Sequence, residues 1–471
     1  MRTKLYGRDT ELKLLKTAYD SSKAELAVVY GRRRIGKSHL LKNFTNNYPK
    51  LLFEGLEGEP TKNQIKNFQV QLKKQIKDPL LQKAQFDTWN ELFDYLSRYF
   101  EENLKQKQVI FFDEFQWMAA GQSKLVSLLK LYWDNYWKNQ NVFLILCGSI
   151  ASFMVKKVIK SKALYGRITQ QIQVRKLKPN IIKKFFHGKR SNEEILKYIL
   201  VLGGVPKYLE DIDLNQSFEK NIQNLFFAPN ALYLDEFERI FNVHFKEPKM
   251  YLKIIKLLDR KILSLNELAT AMKIKSGGGF RVYLENLELA EFIRATTSYE
   301  STNSKYQKYK VSDEFSWFFI KFVLQNYPLI KEGGGISLLN TKIIPNWNSW
   351  FGYAFEKYCL NNALLIADIA DFSDKVESVG PYFRKSSPGV QIDLLFKRSD
   401  KVITICEIKY LNKKVTTEII VELNLKIDQI KIPKGYALEK LLVAPSGASD
   451  ELIKSQFFNK IITLEDFFAS N

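Results

Sequence analysis

Apolar runs punctuate the first third of the chain: "LAVVY" at 26–30, "VIFF" at 109–112 and "VFLILC" at 142–147. Runs this short, with no polar alternation, predict strands buried on both faces, as in a parallel sheet covered by helices. "SHLLKNF", just after the first run, switches to helical spacing. Between 181 and 245 the pattern stays helical, with "EEILKYILVLGG" as its clearest segment.

A smaller unit follows. "YLKIIKLLDRKI" predicts a helix, "SLNELATAMKI" a second opened by Ser264 as N-cap, and "GGGFRVYLENLELAEFI" a third after glycines. "RATTSYESTNSKYQKYKVSD" then predicts two short strands flanking a polar tip. Helix, helix, glycine turn, helix and hairpin is the order of a winged helix-turn-helix. "KEGGGISLLNTKIIPNW" is expected to be a hinge. Beyond it, "SWFGYAFEKYCLNNALL" predicts an amphipathic helix, and "GVQIDLLFKRSDKVITICEIKY" predicts two strands joined by the charged turn "KRSDK".

Composition adds three points. At 471 residues the chain is too long for one core, so several domains are expected. Lys and Arg exceed Asp and Glu by 21, a charge that suits a phosphate-rich polymer; the plain alternative is a lysine-rich solvated surface. Cys147, Cys359 and Cys406 lie in apolar surroundings without metal-type spacing, so they are expected to be core thiols of a reducing compartment. The charged start and the short apolar runs predict a cytoplasmic protein with no membrane span. His39, His187 and His244 are scattered without ligand spacing.

The first strand runs into "GRRRIGKS", which fits G-x-x-x-x-G-K-[ST]. Glycines at 31 and 36 let successive N–H groups of Gly31, Arg32, Arg33, Arg34, Ile35, Gly36, Lys37, Ser38 and His39 curl around an anion. Lys37 would reach the β- and γ-phosphates of ATP, and the Ser38 hydroxyl would bind Mg2+. "FFDEFQWM", after the second strand, supplies Asp113 to hold Mg2+ and Glu114 to polarise the attacking water. Ser149, ending the third strand, is a candidate sensor of the γ-phosphate.

These stretches resemble the AAA+ class of P-loop ATPases and, more closely, the archaeal-type ATPase family related to STAND nucleotide switches. "YGRDTELKLL" is similar to that family's Gly-Arg-x-x-Glu-Leu box near the adenine, "LCGSIASFM" to its sensor strand, and "LGGVPKYLE" to its lid segment. "LYGRITQQIQV" puts Arg167 in the family's Leu-Tyr-Gly-Arg position. The resemblance implies a guanidinium near the γ-phosphate, from the same subunit or a neighbour; the alternative is an ordinary surface arginine.

A second acidic set lies near the far end. Glu407 and Lys409 are two apart on a strand and share a face, hairpin pairing can bring Asp393 beside them, and Glu356 sits on the preceding helix. Two carboxylates sharing a hard cation, with a lysine near the attacked water, is the geometry a metal nuclease needs. The pattern resembles the PD-(D/E)xK restriction-endonuclease-like fold, which archaeal-type ATPases often carry at this end. It departs from that pattern in having Ile392 before Asp393 and Gln391 where an acid is often found.

The reading is thus a multidomain α/β chain. A P-loop AAA+-like parallel sheet occupies 1–180, a helical lid 181–245 and a winged helix-turn-helix 246–311. A linker at 312–345 leads to a restriction-endonuclease-like α/β domain at 346–471. Residues 246–311 hold 13 basic and 7 acidic side chains; Lys275 and Arg281 on the third helix, and Lys305, Lys308 and Lys310 on the hairpin, are candidates for DNA contact, while Glu285, Glu288 and Glu291 oppose it. The expected function is ATP hydrolysis coupled to DNA binding and Mg2+-dependent cleavage, with self-association left open. Two alternatives stand beside it: a STAND-like signalling switch that binds protein partners, and a winged-helix transcriptional regulator.

Overall fold

Five strands, β1 (Glu25–Tyr30), β2 (Lys50–Glu54), β3 (Gln108–Asp113), β4 (Val142–Gly148) and β5 (Gln170–Gln173), form a wholly parallel sheet in the order β2-β3-β4-β1-β5. The computed structural model describes residues 4–103, 106–259, 261–296, 307–384 and 390–469. Every residue of β3 and β4 is buried, which accounts for their unbroken apolar sequences. The helix Trp89–Asn103 buries Trp89, Leu92, Phe93, Leu96 and Phe100, one stripe at helical spacing. Phe93 and Phe112 meet Phe68 and Trp137 in an aromatic core, with Phe53 stacked 3.8 Å from Phe68. Residues 1–177 and 205–207 make up this compact unit.

The second unit comprises residues 178–204 and 208–471. Its helical part is built on clustered aromatics: among Tyr208, Phe226, Tyr233 and Phe315 the paired rings have centroids 4.7–5.7 Å apart, mostly edge to face. Ser191 caps the helix Asn192–Leu202, and Asn192 reaches both carboxylate oxygens of Glu465 at 2.8 Å. The helix Leu464–Phe468, which carries Glu465, also packs on Pro179–Lys183.

The expected hinge and linker at 312–345 is instead helical, from Glu314–Phe318 through successive turns to Trp347–Asn361. Phe315, Phe318, Phe319, Ile320 and Val323 are all buried. The glycines that suggested a hinge act differently. Gly333 alone of the three adopts a left-handed φ, 97°, whereas a Cβ on Gly335 would stand 2.2 Å from the Phe227 carbonyl oxygen. Gly335 permits close packing.

In the small region the helices Pro248–Leu258, Leu265–Ala271 and Gly278–Leu289 accompany three short strands: β6 (Leu263–Ser264), β7 (Ile293–Thr296) and β8 (Lys308–Val311), antiparallel in the order β6-β8-β7. Ser264 and Glu267 complete a reciprocal capping box. Sequence pattern suggested only two strands here, because β6 is two residues long.

The C-terminal sheet is mixed, in the order β13-β12-β11-β10-β9, from β9 (Val376–Arg384), β10 (Val390–Arg398), β11 (Val402–Ile408), β12 (Ala437–Val443) and β13 (Lys460–Ile462). β9, β10 and β11 pair antiparallel; β11, β12 and β13 pair parallel. The helices Trp347–Asn361 and Glu418–Ile427 both pack on β10. Between Ile392 and Leu395 the β9–β10 register slips by one residue, opposite Pro381, which has no N–H to donate.

Candidate functional site

β1 ends at Tyr30 and the chain turns at Gly31, where a Cβ would meet the Val174 carbonyl oxygen at 2.4 Å. Only glycine passes under β5 there. Arg34 (φ 68°) and Gly36 (φ 90°) are left-handed, and the helix Lys37–Thr45 starts directly after them. Arg8 braces the loop from outside, donating to the Ile35 carbonyl oxygen at 2.9 Å while paired with Glu11. Pro206, in the segment expected to form a lid, lies 3.9 Å from where a Gly36 Cβ would be.

Lys37 is buried and donates from Nζ to the Arg32 carbonyl oxygen at 2.9 Å. Burial lowers its pKa, and the neighbouring Cys147, Glu114 and Asp113 oppose that shift. Asp113, also buried, sits above the usual carboxylate range because of burial, and a hydrogen bond with Ser38 partly offsets this. A buried ammonium, a hydroxyl and a carboxylate gathered beside the glycine-bounded loop fit a Mg2+-bound triphosphate. His39 and Arg33 are partly exposed beside this loop, and Arg33 approaches Glu57 at 3.6 Å.

Glu114 follows in a left-handed conformation, φ 49°. Its Oε2 accepts from the Ser149 hydroxyl at 2.7 Å and from the Gln116 side-chain amide, which also donates to Ser149 at 3.2 Å. The sheet order brings these together: β4, carrying Ser149 at its end, lies between β1 with the loop and β3 with the acids. Ligands of parallel α/β sheets bind at this C-terminal edge. Gln116, two residues after Glu114, belongs to no motif that would mark it in the sequence.

Arg167 is not brought to this site. It precedes β5 at the N-terminal edge of the sheet, where Nε and one terminal nitrogen each donate to Asp134 at 2.7 Å. The sequence motif carried no information about that partner, 33 positions away.

In the C-terminal sheet, Asp393 falls in the β10 register slip, one step beyond the Leu394–Cys406 pair, and so opposite Glu407. Its Oδ2 accepts the Ile408 N–H at 3.0 Å. Burial, then the Glu407 and Glu356 charges, push its pKa up to about 7, and burial followed by Glu407 raises Glu356 as well. Glu407 is fully buried and flanked by two ammonium groups. Lys426, from the helix Glu418–Ile427, bonds both its oxygens at 2.7 and 2.8 Å; Lys409 lies 3.2 Å from it and 3.1 Å from Glu422. Among the described residues no group of three or more His, Cys, Asp or Glu is arranged around a common metal position. Asp393 and Glu407 still form a pair of hard oxygen donors under strong mutual repulsion, which suits Mg2+, an ion that keeps several waters and takes one or two carboxylates.

Lys426 and Glu422 were missed by sequence reasoning, although their i, i+4 spacing was visible. Lys310, expected on an exposed hairpin, is buried, and Glu356 is the acid acting on it; desolvation lowers its pKa to about 8. Lys275, Arg281 and Lys308 are exposed, and Lys305 lies outside the described residues.

Comparison with known proteins bears on the first site. Residues 5–212 match a family model described as an ATPase domain predominantly from Archaea. The N-terminal part of the chain is therefore a P-loop ATPase domain. Farther along, residues 317–420 match a second model, described as "Archaea bacterial proteins of unknown function". An uncharacterized protein of Methanocaldococcus jannaschii is 28% identical over 412 residues, spanning 86% of this chain and 88% of the relative. An uncharacterized ATP-binding protein of the same organism is 45% identical over 41 residues, 9% of this chain and 70% of that protein. Among solved structures, the Walker-type ATPase of Pyrococcus abyssi is similar with a TM-score of 0.49 at 21% identity, covering 67% of this chain and 96% of that one. The ORC2 protein of Aeropyrum pernix, in ADPNP and ADP complexes, gives 0.42 at 14% identity, covering 70% and 95%. No helix among the described residues is long and apolar enough to cross a membrane.

Proposed function

We propose that the chain hydrolyses ATP, binds DNA, and carries a Mg2+-dependent nuclease-like site in its C-terminal sheet. The observation that carries the ATPase assignment is the buried Lys37 ammonium beside Asp113 and Ser38, where the phosphate loop meets the acid strand. Lys37 and the loop N–H groups grip the β- and γ-phosphates, and Ser38 and Asp113 hold Mg2+. Glu114 polarises the attacking water; until then Ser149 and Gln116 occupy its carboxylate. Ser149 exchanges that bond for one to the γ-phosphate. Mg2+, when bound, neutralises phosphate charge at the first site and acidifies water at the second. Arg167, tied to Asp134, has no part in its own subunit's site and would act on a neighbouring copy in a homo-oligomer.

The test is Glu114→Gln. ATP affinity is expected to persist while turnover falls by about 100-fold or more; lost binding with turnover unchanged per bound ATP would refute the role.

For DNA, the supporting features are the net charge of +21 and the helix, helix, helix and hairpin order of residues 248–311, which we read as a winged helix-turn-helix. In the C-terminal sheet, which we read as restriction-endonuclease-like, Asp393 and Glu407 would hold Mg2+, Glu356 would add to the negative field that draws the cation in, and Lys409 would orient the attacking water. Mg2+-dependent cutting of mixed DNA substrates should vanish in Asp393→Ala, and DNA affinity should fall steeply between about 50 and 200 mM salt. Cutting that survives Asp393→Ala would remove the nuclease reading.

A second reading has one observation in its favour. The helix Gly278–Leu289 exposes Val282, Glu285 and Glu288 beside Arg281, a mixed face that suits protein contact better than a DNA groove. In that case the chain is a nucleotide-gated switch, and ATP-driven assembly would be indifferent to DNA.

A further inference from the structure

The acidic site of the C-terminal sheet already contains cations of the protein's own. Glu407 is fully buried, and an unpaired carboxylate there would cost several kcal/mol, roughly. Lys426 satisfies it by bonding both oxygens, at 2.7 and 2.8 Å, across the sheet from its helix. Lys409, just past the end of β11, shares Oε1 of Glu407 and ties the strand to Glu422 on that same helix. Lys426 therefore sits against both oxygens through which Glu407 would bind a divalent ion. Its side chain is 26% exposed, so it can leave toward solvent without disturbing the sheet.

We propose that Lys426 is the resident counter-ion of Glu407 and competes with a divalent cation for it, so that the C-terminal site takes metal only when this lysine withdraws. Asp393 is the complementary ligand: its carboxylate accepts the Ile408 N–H at 3.0 Å and, among the described residues, forms no ion pair. The inference rests on the metal-site reading above and adds to it a residue that sets how tightly metal is held. DNA phosphate arriving at the site offers Lys426 another anion, so substrate and metal would enter together, each lowering the barrier for the other.

The probe is Mn2+, followed by the electron paramagnetic resonance signal of the free ion, with the full chain in an Asp113→Asn background that removes the first cation site. In that background Lys426→Met is expected to tighten Mn2+ binding at least tenfold, Lys426→Arg to leave it weak, and Asp393→Asn added to Lys426→Met to abolish it. Should Lys426→Met melt early, Lys426→Gln, which keeps a hydrogen bond to Glu407, is read in the same way. Unchanged affinity in Lys426→Met and Lys426→Gln, with binding still dependent on Asp393, would overturn the competition while leaving the metal site standing. No Asp393-dependent Mn2+ binding in any variant would overturn both.

Discussion

Glu114 adopts a left-handed backbone conformation that costs a non-glycine residue on the order of 1–3 kcal/mol. The compensation is visible in its side chain, fixed by Ser149 and Gln116. Glu114, Asp113 and Lys37 could be picked out in advance because each lies in a short contiguous motif whose spacing reflects local backbone geometry. Gln116, Lys426 and Asp134 could not, since their importance comes from partners on other elements. Arg167 illustrates the difference. Asp134 is held at about 2, chiefly by its hydrogen bonds from Arg167, against an ordinary 3.8. A depressed carboxylate stabilises the folded state above about pH 4, and that stabilisation disappears as pH falls toward 2. The pair is partly exposed, so Arg167→Gln should lose only ~1 kcal/mol at pH 7 by urea unfolding, a difference that shrinks to nothing near pH 2. A loss that stays constant with pH would mean Arg167 stabilises by packing instead.

Strands β1, β3 and β4 announce themselves because burial on both faces leaves no room for polar residues. The stretch 312–345 did not. Its glycines and prolines resemble a hinge by local rules, but long-range packing against Phe227 and Tyr208 makes it helical. The two-residue β6 is too short for any pattern to register. Gly335→Ala is expected to destabilise by roughly 1–3 kcal/mol, because its Cβ would sit 2.2 Å from a backbone carbonyl that cannot yield. Gly333→Ala, with φ 97° and no atom within 4 Å, should cost only about 1 kcal/mol. Urea midpoints of the two variants check the order; equal effects would favour a loose hinge after all.

Each of the two units carries its own acidic centre. The chemistries should therefore separate: Lys37→Ala is expected to abolish ATP turnover while Asp393-dependent Mn2+ binding persists, and Asp393→Asn to do the reverse. A shared loss in either variant would mean that the units unfold together. The effect of the net charge of +21 on DNA is expected in the salt dependence of affinity rather than in any one residue.

The bond from Asn192 to Glu465 joins positions 273 residues apart within the second unit. A ribosome adding about 5–20 residues per second needs roughly 14 to 55 s to deliver the partner. During that interval the nascent helix Asn192–Leu202 acquires its packing partners one by one, Glu314–Phe318, then Trp347–Asn361, and last Leu464–Phe468. Chaperone capture during synthesis should concentrate before Glu314–Phe318 emerges, and a premature stop before residue 464 would strip this helix of the last of its partners.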